Sequence, residues 1–180
     1  MARSTIHEVE GDILLTHAQA IAHGVAPNDH FDHGLALALR ERWPSMAKDF
    51  RHYAHQSHPK PGEVWMWGGT GGARIFNLMT QEGELTNGAK PGKASLANVN
   101  HCLRHLRQAI EKEGITSLAL PKLATGVGGL DWDSVRPLIA STSATSGSRS
   151  TSTRPTARAT PLRSRGLRSP RAHDTRMTAA

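Results

Sequence analysis

The sequence feature that most restricts the fold of this chain is a predicted amphipathic helix followed directly by a predicted buried strand. Apolar side chains step by three and four through residues 94–113, at Leu96, Val99, Leu103, Leu106 and Ile110. This spacing places them on one helix face. Gly114 supplies a C-terminal stop, and residues 115–120 form an apolar run of strand length. The pair predicts a domain in which helices cover a sheet.

The rest of the chain continues this alternation. Predicted strands lie at residues 6–15 (interrupted at Gly11-Asp12), 20–25, 63–67 and 73–79, and the last two read as a hairpin. Predicted helices begin near His33 with Asp32 as N-cap, at Pro44 and at Asp131. Strands alternating with helices predict an α/β domain with a partly parallel sheet between helical layers.

Charge and hydrophobicity both change at residue 140. Residues 1–140 hold 14 Lys/Arg and 14 Asp/Glu, whereas residues 141–180 hold eight Arg and one Asp, so the net +7 belongs to the tail. The neutral body is long enough for one domain with a core. The tail has no Val, Ile, Phe, Tyr or Trp, so burial cannot offset its chain entropy. We therefore predict a domain over residues 1–140 and a disordered Ser/Thr/Arg/Pro-rich tail over 141–180.

Several classes of protein do not fit this sequence. It has no apolar run near membrane-spanning length and no signal-like N-terminus, which predicts a cytoplasmic protein. The one cysteine, Cys102, flanks the apolar helix face and predicts a buried, inert thiol. Histidines recur at His52, His55 and His58 and at His101 and His105, but without an H-E-x-x-H pattern. Solvated helix faces explain them, and we predict no metal and no cofactor.

A glycine-rich loop carries the strongest chemical signal. Thr125 to Gly129 lie between a predicted strand end and a predicted helix start. Glycines let backbone N–H groups approach phosphate oxygens, and the following helix N-terminus favours an anion. The alternative is a flexible connection. Asp12 likewise has two interpretations: it caps a turn, or it accepts a hydrogen bond from a ligand amine.

Together these segments resemble the macrodomain family, which binds ADP-ribose and often cleaves it from modified targets. The matching segments are residues 9–13 (VEGDI), 21–25 (IAHGV), 33–36 (HGLA) and 120–132 (LPKLATGVGGLDW). They occur in family order and cover nearly all of residues 6–139. The resemblance implies a three-layer α/β/α fold with a central mixed sheet. It is greatest to the branch that removes ADP-ribose from glutamate or DNA bases.

The resemblance also implies a role for each part of the binding site. Asp12 would accept the adenine amino group beside the Ile13 backbone, the glycine loop would hold the pyrophosphate, and residues 25–34 would enclose the distal ribose. The expected ADP-ribose contacts are Asp12, Ile13, His23, Gly24, Val25, Gly34, Leu123, Thr125, Gly126, Val127, Gly128 and Gly129. The implied partner is ADP-ribose or an ADP-ribosylated protein or nucleic acid, bound by a monomer.

Two positions depart from the glutamate-cleaving branch. The lysine that forms a covalent adduct with the opened ribose is replaced by Gln81, and the acid that resolves the adduct is replaced by Gly128. Glutamine cannot form a Schiff base. Hydrolysis would then use a positioned water or substrate-assisted attack, for which the candidate catalytic residues are Asn28, Asp29, His33 and Gln81. The alternatives are an ADP-ribose reader without turnover and non-specific nucleic-acid binding by the Arg-rich tail.

The tail lacks the last strand that the family fold requires, with the aromatic residue that stacks on adenine. Read one base out of register, with permitted codons, residues 141–158 can encode HLGDLGIPVYVYETYRA, which supplies a helix end, a turn, an alternating strand and a Tyr-bearing loop. Our hypothesis is that the tail is an out-of-frame translation that weakens the fold and impairs adenine stacking. The alternative is an authentic disordered tail on a shortened domain.

Overall fold

Strands and helices alternate along the chain as the periodicity predicts. The computed structural model describes residues 6–83, 91–144, 151–154 and 176–179. The strands in these residues are β1 (Ile6–Glu10), β2 (Ala20–Val25), β3 (Val64–Gly68), β4 (Arg74–Met79), β5 (Ser117–Leu120), β6 (Thr151–Arg154) and β7 (Arg176–Ala179). The α-helices are α1 (Gly34–Arg42), α2 (Pro44–Ser57), α3 (Leu96–Glu113) and α4 (Trp132–Ala144).

The strands form one mixed sheet. β2 lies between β4 and β5 and is parallel to both, while β3 is antiparallel to β4 at the edge, as the predicted hairpin requires. In the β2–β4 register His23 pairs with Asn77. The carboxyl ends of β2, β4 and β5 therefore meet at one edge of the sheet.

Helices cover both faces of this sheet. Four of the five predicted stripe residues of α3 are buried on one face with residues of α4: Val99, Leu103, Leu106 and Ile110. The fifth, Leu96, is exposed in the first turn of the helix. The other core lies under α1 and α2. The α/β class, the three layers and the mixed central sheet are thus confirmed.

Two segments of the tail fill one strand position. β6 pairs in parallel with residues 9–10 of β1 and 119–120 of β5. β7 pairs in parallel with residues 6–8 of β1 and 117–118 of β5. The two short strands therefore lie end to end between β1 and β5, and the tail replaces the strand that the sequence lacks.

The prediction of a disordered tail does not hold for residues 151–154 and 176–179. Main-chain pairing needs no apolar side chain, and the facing N–H and C=O groups of β1 and β5 require partners. Helix α4 also extends to Ala144, past the predicted boundary at residue 140. The tail residues 145–150 and 155–175 lie outside the described residues, and the prediction of disorder there is untested.

Local capping corrects one predicted helix boundary and supports another. The N-cap of α1 is His33 rather than Asp32, and Asp32 instead pairs with Arg40. The Ser95 side chain caps α3 by accepting a hydrogen bond from the Asn98 N–H at 3.1 Å. Gly114 ends that helix with a φ of 64°, a conformation that favours glycine.

Two further sequence predictions concern burial. The Cys102 side chain is buried, and desolvation raises the pKa of its thiol to about 12. The neutral thiol is therefore inert, as expected. No helix among the described residues is long and apolar enough to cross a membrane.

Candidate ligand-binding cleft

A cleft of about 150 Å³ lies at the carboxyl ends of β2, β4 and β5. Its walls come from the loop after β2, Gln81 beyond the end of β4 and the glycine loop after β5. This edge is where open α/β sheets bind their ligands. Nine predicted site residues line the cleft: His23, Gly24, Asp29, His33, Gly34, Gln81, Gly126, Val127 and Gly128.

Seven predicted site residues are not part of this lining: Asp12, Ile13, Val25, Asn28, Leu123, Thr125 and Gly129. Asp12 does cap a turn, because its Oδ1 accepts a hydrogen bond from the Leu14 N–H at 2.9 Å. Thr125 shapes the glycine loop, since its hydroxyl donates to the Lys122 carbonyl at 2.7 Å. Contact between these seven residues and a ligand stays a prediction.

The glycine loop is tightly folded, and its geometry excludes side chains at one position. A Cβ at Gly128 would lie 2.6 Å from the Ala124 carbonyl oxygen and 3.0 Å from the Ala94 Cβ. Within the described part of the chain, the backbone N–H groups of Gly126, Val127 and Gly128 have no hydrogen-bond partner. Three adjacent free donors beside a cleft form the type of site that binds an anion.

The loop after β2 is held in shape by the Asp29 carboxylate. Its Oδ2 accepts from the Ala26 N–H at 3.0 Å and its Oδ1 from the Phe31 N–H at 2.8 Å. Phe31 has a φ of 57°, which the turn imposes on it. Burial raises the pKa of the Asp29 carboxyl above its ordinary value, although both hydrogen bonds oppose that rise. Asp29 therefore builds the cleft wall.

Gln81 lies two residues after the end of β4 and lines the cleft. It is 5% exposed, and its Nε2 donates to the Gly92 carbonyl at 3.2 Å. Its backbone N–H donates to the Val25 carbonyl at 3.3 Å. The Gln81 side chain and backbone thus join the 91–94 segment to the sheet.

Comparison with known proteins decides the family. Residues 22–139 match the profile of the Macro domain, which covers more than half of the chain. The chain belongs to the Macro domain family.

Two curated proteins similar to this macrodomain have names that refer to the ADP-ribosyl group of DNA. A DNA ADP-ribosyl transferase–DNA ADP-ribosyl glycohydrolase fusion protein of Thermosipho africanus is 26% identical over 145 residues, which cover 73% of this chain and 37% of that protein. The DNA ADP-ribosyl glycohydrolase of Mycobacterium tuberculosis is 28% identical over 134 residues, covering 73% of this chain and 36% of that protein. The macrodomain thus spans little more than a third of these relatives.

Solved structures show the same fold. The macrodomain of Mycobacterium tuberculosis DarG superposes with a TM-score of 0.72 at 23% identity, covering 83% of this chain and 97% of that one. Thermosipho africanus DarTG in complex with ADP-ribose superposes with a TM-score of 0.68 at 21% identity, covering 87% of this chain and 42% of that one.

Among the residues of this macrodomain site that sequence reasoning missed are Lys122 and Asn77. Lys122 lines the cleft and also a second cavity of about 440 Å³ beside β1 and α4, where its Nζ lies 5.9 Å from the centroid of the Trp132 ring. A lysine in a loop has no spacing pattern that would have marked it. Asn77, which contacts His23 beneath the cleft, lies 54 residues away in sequence, so only strand pairing reveals it.

The histidines and acidic residues of the described part of this macrodomain are not grouped. Its residues contain no group of three or more His, Cys, Asp or Glu side chains that could hold a metal ion. His105, one of the histidines with helical spacing, instead contacts the Gly62 carbonyl through Nδ1 at 3.0 Å. That histidine supports the packing of α3 against the segment before β3.

Proposed function

We propose that this macrodomain binds ADP-ribose in the cleft and hydrolyses ADP-ribose from modified acidic side chains without a lysine adduct. The observation that carries the proposal is the row of free N–H donors at Gly126, Val127 and Gly128 beside the carboxyl ends of the strands. Such a row suits a pyrophosphate. The ADP-ribose complex of the similarly folded DarTG supports the choice of ligand.

The ligand would lie along the carboxyl edge of the sheet. Its distal ribose would occupy the end of the cleft between His33, Gly34 and Gln81, which the structure brings together. Its pyrophosphate would lie on the glycine loop. Its adenine would extend towards Asp12, where one carboxylate oxygen is engaged by Leu14 and the other can accept the adenine amino group.

Hydrolysis would depend on position and electrostatics rather than on a protein nucleophile. Gln81 offers an amide, which does not attack carbon. A water would add to the anomeric carbon of the distal ribose while the bond from that carbon to the glutamate carboxylate breaks. The carboxylate would depart with the bonding electrons, and the proton lost by the attacking water would pass to solvent. Oriented dipoles of the glycine loop would hold the diphosphate in place for this step. Asn28, Asp29, His33 and Gln81 stay the candidate polar groups.

A reader without turnover is the second candidate, and one observation favours it. The Gln81 amide nitrogen is engaged with Gly92, and both Asp29 oxygens accept backbone hydrogen bonds. Two of the four candidate catalytic groups therefore serve the structure of the cleft. Nucleic-acid binding by the Arg-rich tail stays a prediction from sequence alone.

Calorimetry and a release assay separate these functions. ADP-ribose is titrated into the full chain, and the chain is then incubated with a glutamate-ADP-ribosylated protein and with ADP-ribosylated DNA. Binding with release from the protein supports the proposed hydrolase. Binding without release from either substrate supports the reader. Release from DNA alone would show that the target is an ADP-ribosylated base and not an acidic side chain. No heat of binding would overturn the proposed ligand.

A further inference from the structure

A buried histidine at the cleft has a hydrogen-bond partner at only one of its two ring nitrogens among the described residues. His23 is 1% exposed and lines the cleft. Its Nε2 lies 2.7 Å from Asn77 Oδ1 on the neighbouring strand. Its Nδ1 has no hydrogen-bond partner among the described residues. A buried polar atom without a partner is costly, so the vacant nitrogen requires an explanation.

The hydrogen bonds of Asn77 determine which tautomer His23 adopts. Asn77 Nδ2 donates to the Trp65 carbonyl at 3.4 Å, which turns its Oδ1 towards the imidazole. Since Oδ1 can only accept, the hydrogen of the neutral ring lies on Nε2. Burial lowers the pKa of His23 to about 4, so the ring is neutral at physiological pH. Nδ1 is therefore a bare lone pair that can only accept a hydrogen bond.

The His23 ring lies next to the loop that forms part of the cleft wall. The imidazole lies on the sheet face covered by the loop after β2, with its centroid 6.0 Å from that of Phe31. The same loop contributes Asp29 and His33 to the cleft wall. An incoming group that donates a hydrogen bond there would satisfy Nδ1.

We propose that His23 Nδ1 accepts a hydrogen bond from a hydroxyl group of the distal ribose, and that Asn77 is the positioning residue that fixes the tautomer required. The inference rests on the proposed binding of ADP-ribose. It assigns His23 a specificity role: a ligand with a distal ribose gains a bond that ADP cannot make. A merely structural role, in which the histidine ties β2 to β4, predicts no such difference between the two ligands.

Nitrogen NMR of the full chain tests the inference directly. The protein is labelled with ¹⁵N-histidine, and the His23 signals are identified by their loss in His23→Gln. Saturating ADP-ribose should move the Nδ1 resonance towards lower frequency, as accepting a hydrogen bond does, whereas saturating ADP should leave it in place. An unmoved Nδ1 resonance with ADP-ribose bound overturns this inference alone. A chain that binds no ADP-ribose by calorimetry overturns the proposed function as well.

Two substitutions provide an independent readout. In His23→Gln the amide nitrogen can still donate to Asn77 Oδ1, but nothing replaces Nδ1. We expect about a tenfold loss of ADP-ribose affinity, with ADP affinity within about twofold of the wild type. Asn77→Val should allow the tautomers to mix and weaken ADP-ribose in the same selective way. Equal losses for both ligands would indicate a general disturbance of the cleft and contradict the inference.

Discussion

At the scale of single residues, the cleft depends on glycines whose neighbours leave no room for a side chain. Gly24 has Thr80 Oγ1 2.6 Å from where its Cβ would lie, and Gly128 has the Ala124 carbonyl at the same distance. Both positions line the cleft. Glycine is required at each because of space, not because of an unusual φ. The sequence marks such a glycine, but the atom that excludes a side chain is known only from the structure.

Gly128→Ala should weaken ADP-ribose binding by at least about tenfold. The added Cβ would collide with a backbone oxygen, so the loop must shift and its free N–H groups lose their alignment. Isothermal titration calorimetry measures the effect. The matched control is Gly68→Ala at the far end of β3, where nothing lies within 4 Å of the added Cβ. If both variants bound ADP-ribose equally well, the glycine loop would not be part of the binding site.

The buried His23 should make stability depend on pH. Its folded pKa of about 4 lies below the ordinary value of 6.5, so the unfolded chain binds a proton first as the pH falls. The stability present above pH 6.5 is therefore lost between pH 6.5 and 4, by roughly 3 kcal/mol. The raised pKa of Asp29 acts in the opposite sense in acid, because it gains its proton before the unfolded chain does.

Urea unfolding at pH 7 and pH 4.5 measures this dependence. The wild type should lose more free energy of unfolding between the two pH values than His23→Gln, which lacks the titrating ring. A loss of the same size in both proteins would show that His23 already carries its proton in the folded state, or that another group dominates.

At the scale of elements, the spacing of apolar residues predicted where helices and strands lie better than candidate capping residues did. The α3 stripe was recovered except at its first residue, Leu96, and the helix ends at Gly114 as the sequence predicts. The opening strand was predicted to run to residue 15, yet β1 ends at Glu10 and a short 3-10 turn follows. Leu14 and Leu15 supply apolar character without strand geometry, since Gly11 has a φ of 157° and Asp12 caps the turn. A local hydrogen bond decided that boundary.

Ser95→Ala should lower the free energy of unfolding by about 1 kcal/mol, because the Asn98 N–H loses its capping partner. Chemical denaturation measures the change. Ser57→Ala at the exposed C-terminal end of α2 is a suitable control and should fall within about 0.5 kcal/mol of the wild type. If the two serine variants were equally stable, the cap of α3 would contribute nothing measurable.

At the scale of the whole molecule, an interior strand position is shared by two unrelated tail segments. β6 and β7 are four residues long each, and together they pair with residues 6–10 of β1 and 117–120 of β5. A cavity of about 440 Å³ remains beside β1 and α4, and Val9 of β1 is 37% exposed. A single strand with large alternating side chains would complete both the pairing and the packing.

A chain in which HLGDLGIPVYVYETYRA replaces residues 141–180 should be more stable and bind ADP-ribose more tightly. Each large apolar side chain newly buried contributes about 2 kcal/mol, and the restored tyrosines offer a surface for adenine. Thermal unfolding and calorimetry compare it with the 180-residue chain. The control carries the same replacement with its order scrambled. Equal melting temperatures for the restored and scrambled chains would refute the frame hypothesis.

The sequence alone determined the elements that depend on neighbours along the chain. Helix spacing and strand runs are local patterns, and they were sufficient to indicate the α/β class. The resemblance of four short segments to macrodomains indicated the family and most residues of the cleft. Only the tertiary structure decided the contacts between distant segments: the Asn77 partner of His23, the Gln81–Gly92 closure and the strand position taken by the tail. The first and third of these depend on pairing between strands far apart in sequence, and the second depends on how the segment after β4 folds back. No local pattern along the chain specifies any of them, because strand pairing is made by backbone groups that every residue carries.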